Sequence, residues 1–290
     1  MQMRMIKPIV NVSKIIDNYN VIVCGFDGVL TDGAGVKSEA ITALVNMKKN
    51  GKKIVVLSNS PWRVAKIVRF LHANKVPVAL FDAVVSAGEI LHYKLKTADG
   101  VYGALGRRYC HLGDRSERGV FDGLDFTPVD KLENAEFLYM SSVKSSDDYL
   151  DNYLPELEHA AALGLPLLVA GNDTSCHIKG KISVAPGALA EQYAVLGGRI
   201  VTVGKPAAEI FSYALDGMLE TDPRQILVIG DNLNTDIKGA NLINAPSALI
   251  SKGIHVNYLG EGYIPDVAKT RELSINFDAY PDYVISNLRW

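Results

Sequence analysis

The sequence predicts an α/β fold in which a parallel sheet is covered by helices. Short apolar runs alternate with helical segments along most of the 290 residues, the pattern of parallel strands joined by helices. The first run, residues 21–24, is apolar throughout, as expected for a strand that is buried on both faces. It leads into a loop rich in glycine and aspartate, and such loops at the carboxyl ends of parallel strands commonly bind ligands.

The segment before residue 87 contains three predicted strands and two predicted helices. The strands span residues 21–24, 53–57 and 81–85, and the helices span residues 38–50 and 61–74. Gly51 is expected to end the first helix, because glycine readily takes the left-handed conformation that closes helices. Pro61 suits the first turn of the second helix, where a backbone N–H would have no partner.

The pattern changes character between residues 87 and 173 and then returns. In that region, strand candidates at 108–112, 136–141 and 165–169 are separated by a polar stretch and by a helix near 148–163. Afterwards come strands at 199–203, 225–229 and 247–250, helices at 207–219 and 235–244, and a late strand within 281–288. We therefore predict a discontinuous Rossmann-like core domain, residues 1–86 and 174–290, with an inserted α/β cap domain, residues 87–173. The strands near residues 21, 53, 199 and 225 are expected side by side in the core.

Composition argues against a nucleic-acid or membrane partner. Thirty Lys and Arg residues against 32 Asp and Glu give a formal net charge of −2, whereas both partners select concentrated positive charge. The three cysteines, Cys24, Cys110 and Cys176, form no Cys-x-x-Cys pair, which favours a reducing compartment. Because the first residues lack the pattern of a secretory signal, we expect a cytoplasmic location. The sequence leaves homo-oligomerisation open.

The loop after the first strand has a glycine at a decisive position. Residues 25–30 read Gly-Phe-Asp-Gly-Val-Leu. This resembles the first motif of the haloacid dehalogenase-like phosphatases, which is Asp-x-Asp-Gly-Val-Leu in their class with a large inserted cap. In that family the first Asp attacks phosphorus and the second acts as general acid and base. Asp27 and Gly28 match the motif, but Gly25 stands where the resemblance implies the nucleophile.

Two substitutes for the missing nucleophile fail on simple grounds. If the frame were shifted so that Asp27 attacked phosphorus, Val29 would fall at the acid position and the rest of the motif would lose its match. Cys24 carries a thiol, but side chains alternate along a strand, so Cys24 should point away from the face shared by residues 25 and 27. We interpret Cys24 as a small buried core residue.

Two further elements resemble the family's phosphate-binding motifs. Residues 57–60, Leu-Ser-Asn-Ser, match the second motif, and the resemblance gives Ser58 a catalytic position with Asn59, Ser60 and Gly28 near the substrate. A hydroxyl with backbone N–H groups at a helix start suits a phosphoryl group. Taken alone, a serine before Pro61 is more often a helix cap. Gly-Lys-Pro at 204–206 places Lys205 where the family has its phosphate-binding lysine.

The fourth element, residues 229–237, is the most specific stretch of the sequence. Asp231 and Asp236 lie five residues apart across a strand-to-helix turn, and hard oxygen ligands of this kind suit Mg²⁺. The resemblance implies a Mg²⁺ site at Asp231 and Asp236 together with Asp27. Two acids that cap a helix are the alternative interpretation of the pattern. The six histidines show no close pairing with metal-ligand spacing, so each is interpreted as a surface or core residue.

The four elements, in this order and with a cap between the second and third, imply a Mg²⁺-dependent phosphatase. Its expected partner is a small phosphorylated metabolite of the sugar-phosphate type. Because Gly25 removes the nucleophile, we expect turnover to be lower by about 10⁴ or more and Mg²⁺ binding to be weaker. One alternative is a catalytically silent relative that binds a phosphorylated ligand or a protein partner. Another is that Gly25 is an introduced substitution in an otherwise active enzyme.

Overall fold

The computed structural model describes residues 5–218 and 221–290. In chain order, the strands are β1 (Lys7–Pro8), β2 (Val21–Gly25), β3 (Lys53–Ser58), β4 (Ala83–Ser86), β5 (Arg108–Leu112), β6 (Thr127–Val129), β7 (Phe137–Met140), β8 (Leu167–Ala170), β9 (Ser175–Ile178), β10 (Lys181–Val184), β11 (Ile200–Val203), β12 (Ile226–Gly230), β13 (Ser247–Ile250) and β14 (Tyr283–Ile285). The α-helices are α1 (Ser38–Lys49), α2 (Val64–Ala73), α3 (Ala87–Thr97), α4 (Leu154–Ala162), α5 (Pro186–Val195), α6 (Ala208–Ala214), α7 (Lys238–Leu242), α8 (Val256–Leu259) and α9 (Val267–Phe277).

Two parallel sheets and one hairpin organise these elements. The first sheet has the order β1-β14-β13-β12-β2-β3-β4, and the second has the order β11-β8-β7-β5-β6. Every pairing within either sheet is parallel, whereas β9 and β10 pair antiparallel. The predicted α/β fold class, a Rossmann-like sheet with a second α/β unit, is therefore confirmed.

One strand lies in a different sheet from the one we predicted. The strand expected at 199–203 in the first sheet is β11, which pairs with β8 in the second sheet, with Val203 opposite Ala170. The short apolar run at 200–203 is compatible with a buried strand in either sheet, so the assignment depends on which strand it pairs with. The second sheet thus contains a strand beyond residue 173, and the exact domain limits at 86/87 and 173/174 stay a prediction.

The predicted helices are present, with shorter limits. The helix expected at 207–219 ends at Ala214 in α6, and residue 219 lies outside the described residues. The segment expected as one helix at 235–244 is a short π-helix, Leu233–Ile237, followed by α7. None of the helices in the described ranges has the length and apolarity needed to cross a membrane.

Alternation along β2 places its side chains in two different apolar clusters. Val21 and Val23 belong to the cluster that also includes residues of the second sheet, whereas Ile22 and Cys24 belong to a cluster packed beneath α1. Cys24 therefore points away from the face on which residues 25 and 27 lie, as predicted. Cys24 is a buried core residue, and because burial raises the pKa of its thiol, the thiol is a poor nucleophile.

Candidate active site

The carboxyl ends of the two sheets face one cleft. On the first sheet, Asp27 follows β2, Ser58 ends β3 and Asp231 follows β12; on the second, Ser141 follows β7. Lys205, directly after β11, enters the same cleft. The structure thus brings Asp27, Ser58, Lys205 and Asp231 together, and Asn59, Ser60 and Asp236 line the cleft beside them. Their chemical roles remain predictions at this point.

Lys205 is fixed from two directions. Its ammonium donates to Asp236 Oδ1 at 2.6 Å and to the Leu57 carbonyl at 3.2 Å. The Asn59 side chain clamps its backbone, since Oδ1 accepts from Lys205 N–H at 2.7 Å and Nδ2 donates to the Lys205 carbonyl at 3.2 Å. The side chain of Asn59, predicted to contact substrate, is therefore used to position Lys205.

Asp236 is engaged by protein groups on both oxygens. Lys205 holds Oδ1, and Asn232 N–H donates to Oδ2 at 3.2 Å. In this arrangement Asp236 is the counter-ion of Lys205, and its place near the metal site stays a prediction. Among the described residues, Asp231 accepts one hydrogen bond, from Ile254 N–H at 2.9 Å.

Gly28 makes close contact with Asp231 and does not line the cleft. Its backbone is left-handed, with φ of 74°, and a Cβ at this position would overlap the Asp231 carboxylate. Glycine at this position lets the Asp231 side chain approach closely, and the substrate contact by Gly28 stays a prediction. Lys37, which sequence analysis missed, donates to the Gly28 carbonyl at 2.6 Å.

The cleft carries an excess of negative charge. Its carboxylates are those of Asp27, Asp173, Asp231 and Asp236, with Glu117 on the opposite wall. Burial lowers the pKa of Lys205, but the carboxylates of Asp236, Asp173 and Asp231 more than offset this, so its pKa is raised and it is an ammonium ion. Burial raises the pKa of Asp173, against the opposing effects of the Lys205 charge and of hydrogen bonds from Thr235 and Asn59.

Asp27 and Asp236 respond to the same surroundings. Burial raises the pKa of Asp236 to about 6, against the opposing effect of Lys205. Desolvation and the Asp173 charge raise the pKa of Asp27 to about 6 as well. The Asp27 side chain is exposed to the solvent of the cleft, which limits its desolvation. A carboxyl group that titrates near neutral pH suits general acid and base catalysis.

Sequence analysis also missed Asp173 as a site residue. Its Oδ1 accepts from Asn232 Nδ2 and from Thr235 Oγ1, both at 2.7 Å, which ties the turn after β12 to the segment after β8. The signal was present, because residues 171–173, Gly-Asn-Asp, resemble the Asn-Pro-Asp-type segment at which chains of this class return from cap to core. No comparable signal marked His177, a single histidine on β9.

The β9–β10 hairpin lies over the mouth of the first motif. Gly180 N–H donates to the Asp32 carbonyl at 3.1 Å, and His177 lines the cleft beside Asp27. His177 Nε2 is 3.4 Å from Asp231 Oδ2. Chain topology thus brings His177 to the cleft from 54 positions before Asp231, and the interpretation of the histidines as surface or core residues stays a prediction.

Gly25 leaves the centre of the site without a carboxylate. It ends β2 opposite Leu57 of β3. A Cβ at this position would lie 3.0 Å from Val29 Cγ2, 3.5 Å from the Ile229 carbonyl and 3.7 Å from Asp236 Oδ1. A side chain at residue 25 would therefore enter the group of polar residues around Lys205 and Asp236, and Val29 would have to yield by a few tenths of an ångström.

The second sheet contributes polar groups to the opposite wall. Ser141, Ser142 and Glu117 line the cleft. The Ser141 hydroxyl is 2.8 Å from His111 Nε2, and Glu117 accepts from Lys66 Nζ at 2.6 Å. Burial, with a smaller contribution from Arg118, lowers the pKa of His111 to about 4, so the imidazole is neutral. Hydroxyl and carboxylate groups on this wall suit a ligand that is rich in hydroxyl groups.

The fold and this cleft define a family, and the comparisons agree. The haloacid dehalogenase-like hydrolase profile matches residues 19–244, and a related hydrolase-like profile matches residues 202–290. The chain belongs to the haloacid dehalogenase-like hydrolases. No curated protein sequence matches the chain.

Solved structures similar to the chain support the same family. A haloacid dehalogenase-like hydrolase from Brucella suis 1330 is 27% identical, with a TM-score of 0.80, over 96% of this chain and 98% of that one. A possible sugar phosphatase from Cytophaga hutchinsonii is 19% identical, with a TM-score of 0.71, over 99% and 98%. A glycerol phosphate phosphatase from Mycobacterium tuberculosis in complex with magnesium is 18% identical, with a TM-score of 0.62, over 94% and 77%. The last two likenesses show the fold.

The cleft offers Mg²⁺ fewer carboxylate oxygens than the family resemblance implies. Mg²⁺ prefers carboxylate oxygens together with water, but Gly25 has no carboxylate and Asp236 is engaged by Lys205. Within residues 5–218 and 221–290, no three His, Cys, Asp or Glu side chains are grouped as a metal site. Of the predicted ligands, Asp27 and Asp231 have carboxylates that form no ion pair with a lysine among the described residues, and the backbone carbonyl of Asp27 is a further oxygen donor.

Proposed function

We propose that the chain is a phosphatase-type hydrolase for a small phosphorylated metabolite, of the sugar-phosphate type, whose hydrolytic step is impaired by Gly25. The observation that carries the proposal is the group of Asp27, Ser58 and Lys205 around the end of β2, where Gly25 stands. The proposal is supported by the position of Asp27, Ser58 and Lys205 along one cleft, to which the family resemblance assigns phosphoryl transfer, and by the absence of an attacking carboxylate at residue 25.

Each retained group has a definite task in this proposal. The Lys205 ammonium offsets the charge of the phosphoryl oxygens, and the Ser58 hydroxyl donates to one of them. Asp27 protonates the leaving oxygen, a task for which a pKa raised toward neutrality is suited. Without a carboxylate at residue 25, no aspartyl-phosphate forms, so the reaction loses the covalent route that divides one hard step into two.

The substrate class follows from the wall contributed by the second sheet. Ser141, Ser142 and Glu117 offer hydroxyl and carboxylate groups to the part of the ligand that is not phosphate. Structures similar to the chain include a possible sugar phosphatase and a glycerol phosphate phosphatase, which supports a polyhydroxylated phosphate ester. We also propose a reducing, cytoplasmic location, supported by the three unpaired cysteines.

Magnesium enters the proposal as a weakly bound ion. In the family the ion neutralises charge on the phosphoryl group, and a magnesium complex is known for the similar glycerol phosphate phosphatase. Asp231 and the Asp27 carbonyl would hold it in this chain. Because one carboxylate ligand is missing, we expect lower affinity than in a site with two carboxylates.

Substitution of Gly25 by aspartate tests the function. The native chain should hydrolyse p-nitrophenyl phosphate and a panel of sugar phosphates at a negligible rate with Mg²⁺, and Gly25→Asp should raise the rate by about 10⁴ or more. Gly25→Asn is the matched control, since it fills the same space without a nucleophile and should stay inactive. Robust hydrolysis by the native chain, abolished by Asp27→Ala, would contradict the assigned role of position 25.

A catalytically silent relative is the second candidate, and Gly25 itself favours it. Such a protein would keep Ser58 and Lys205 to bind a phosphorylated ligand or a phosphorylated protein partner without cleaving it. Calorimetry of the native chain with inorganic phosphate and with sugar phosphates measures this binding directly. Tight binding by the native chain, combined with an inactive Gly25→Asp across the whole panel, would make the silent relative the better description.

A further inference from the structure

A buried histidine in the second sheet holds a hydroxyl group on the wall of the cleft. His111 lies on β5 and is 6% exposed, and its Nε2 is 2.8 Å from Ser141 Oγ. Ser141, the residue after β7, lines the cleft and is 1% exposed, the same fraction as Ser58 on the first sheet. Because the hydroxyl is bonded to a buried ring, it is held in one position at the cleft wall.

The imidazole of His111 is fixed and carries no charge. Its ring centroid lies 5.0 Å from that of Tyr139, on the neighbouring strand β7. Burial and the Arg118 charge lower its pKa to about 4, so at neutral pH the ring has one N–H and one free lone pair. His111 therefore holds Ser141 by hydrogen bonding alone and adds no positive charge that would attract a second anionic group.

The Ser141 hydroxyl has hydrogen-bonding capacity left for a ligand. A serine hydroxyl offers one donor and two acceptor sites, and within residues 5–218 and 221–290 its one partner is His111. If Nε2 carries the proton, the serine keeps its O–H and one lone pair; if Nε2 is unprotonated, the serine keeps two lone pairs and no donor. A ligand hydroxyl can donate or accept, so it pairs with Ser141 in either tautomer, whereas a carbonyl or ether oxygen pairs in only one.

A second hydroxyl lies next to it on the same wall. Ser142 lines the cleft, and its Oγ is buried with no hydrogen-bond partner among the described residues. Buried polar atoms nearly always have a partner, so an unpaired hydroxyl at this wall suits another hydroxyl group of a ligand. The acid on this wall, Glu117, is already paired with Lys66, whose ammonium donates to both carboxylate oxygens at 2.6 and 2.7 Å. The two serines are therefore the groups of this wall that are free to select a ligand.

We propose that Ser141 is a specificity-determining residue, whose hydroxyl binds a hydroxyl group of the ligand's alcohol part, and that His111 is the residue that positions it. The proposal rests on the proposed function, because it takes the phosphoryl group to bind beside Ser58 and Lys205 on the first sheet. It adds that discrimination among phosphate esters depends on hydrogen bonds to this serine. The chain should thus distinguish a polyol phosphate from an ester of the same shape without hydroxyl groups.

Calorimetric binding of matched phosphate esters by the full native chain tests the proposal. The pairs are glycerol 3-phosphate with propyl phosphate and ribose 5-phosphate with tetrahydrofurfuryl phosphate, and the members of each pair differ only in their hydroxyl groups. In at least one pair the hydroxylated ester should bind about two- to tenfold more tightly, the ratio expected from one net hydrogen bond. Ser141→Ala and His111→Phe should bring this ratio close to one, whereas His111→Gln should keep it, because an amide side chain also bonds the serine hydroxyl.

Ser116→Ala is the matched control, because Ser116 is an exposed serine that lies outside the lining of the cleft, and it should keep the native ratio. Ratios near one for both pairs in the native chain, or a native ratio retained in Ser141→Ala, would overturn the proposal. If His111→Phe does not fold, the ¹⁵N resonance of His111 Nε2 in the native chain decides: it should shift more with the hydroxylated ester than with its partner, and equal shifts would overturn the role of His111. Gly25→Asp assayed on p-nitrophenyl phosphate, whose nitrophenyl group carries no hydroxyl, reports on the proposed function separately, so restored hydrolysis alongside equal ratios would leave that function standing.

Discussion

Replacing Lys205 with methionine should destabilise the protein strongly at neutral pH. The Lys205 side chain is 7% exposed and the Asp236 side chain is 5% exposed, and the ammonium lies 2.6 Å from Asp236 Oδ1. The ammonium also donates a hydrogen bond to the Leu57 carbonyl. Methionine fills a similar volume but leaves the Asp236 carboxylate buried without a cation. Breaking such a pair typically costs about 3–5 kcal/mol, which corresponds to a fall in Tm on the order of 10 °C for a chain of this size.

The effect should depend on pH with a definite sign. Burial raises the pKa of Asp236 to about 6 even beside Lys205, and removal of the ammonium raises it further. An acid whose pKa is raised in the folded state favours folding below that pKa and disfavours it above. Asp236 therefore takes up a proton as the pH falls, and the destabilisation by Lys205→Met should be smaller at pH 5 than at pH 8.

Thermal and urea denaturation of the native chain and Lys205→Met at pH 5 and pH 8 measure both effects. Lys94→Met is the matched control, since Lys94 is equally buried but its partner Glu209 is 53% exposed and stays solvated when the lysine is lost. It should cost about 1 kcal/mol or less. A loss below about 1 kcal/mol in Lys205→Met at pH 8, or a loss that does not change with pH, would refute the buried ion-pair argument.

Two further predictions concern Asp27 and the return from the second sheet. Because the pKa of Asp27 is raised from 3.8 to about 6, native stability should fall as the pH rises from 4 to 7, and Asp27→Asn should gain stability over the native chain at pH 8 but not at pH 4. The difference between the two pKa values limits this gain in the free energy of unfolding to about 3 kcal/mol, and the solvent exposure of Asp27 reduces it to about 1 kcal/mol. Equal melting curves of the native chain and Asp27→Asn at both pH values would contradict the prediction. Gly171→Ala should cost more than about 2 kcal/mol, because a Cβ at this left-handed position, φ 84°, would overlap the Asn59 carbonyl oxygen. Gly164→Ala, left-handed with nothing within 4 Å of its Cβ, is the control, and equal losses in urea denaturation would show that the overlap is relieved.

Hydrophobic pattern was sufficient for most strands but not for assigning each one to a sheet. The strand predicted at 108–112 coincides with β5, and those near residues 21, 53 and 225 are neighbours in the first sheet. The run 200–203 is apolar enough for either parallel sheet, and its membership follows from pairing with β8, which sequence spacing cannot reveal. Strand β1 has two residues, too few for any periodicity to register.

At the site, residues within a local motif were predictable and residues brought together by topology were not. Asp27 and Asp231 follow predicted strands and Ser58 ends one, so the sequence around each residue also indicates its place in the fold. Lys205 pairs with Asp236 because its side chain is long enough to reach the carboxylate and because Asn59 holds the Lys205 backbone. Asn59 and Lys205 are 146 residues apart in sequence. His177 reaches Asp231 from a hairpin whose position over the cleft depends on contacts such as Gly180 N–H to the Asp32 carbonyl.

Gly25 alters the charge of the cleft as well as its chemistry. A carboxylate at this position would begin from a Cβ 3.7 Å from Asp236 Oδ1, so it would add a further negative charge beside the buried Lys205 ammonium. Like charges at this distance in a poorly solvated site repel, and that repulsion is tolerable only when a cation binds. In the proposed function, glycine would lower the need for a cation as well as remove the nucleophile. Phosphate binding by this cleft would then be separable from metal-dependent bond cleavage, and a carboxylate at residue 25 would be the group that joins the two.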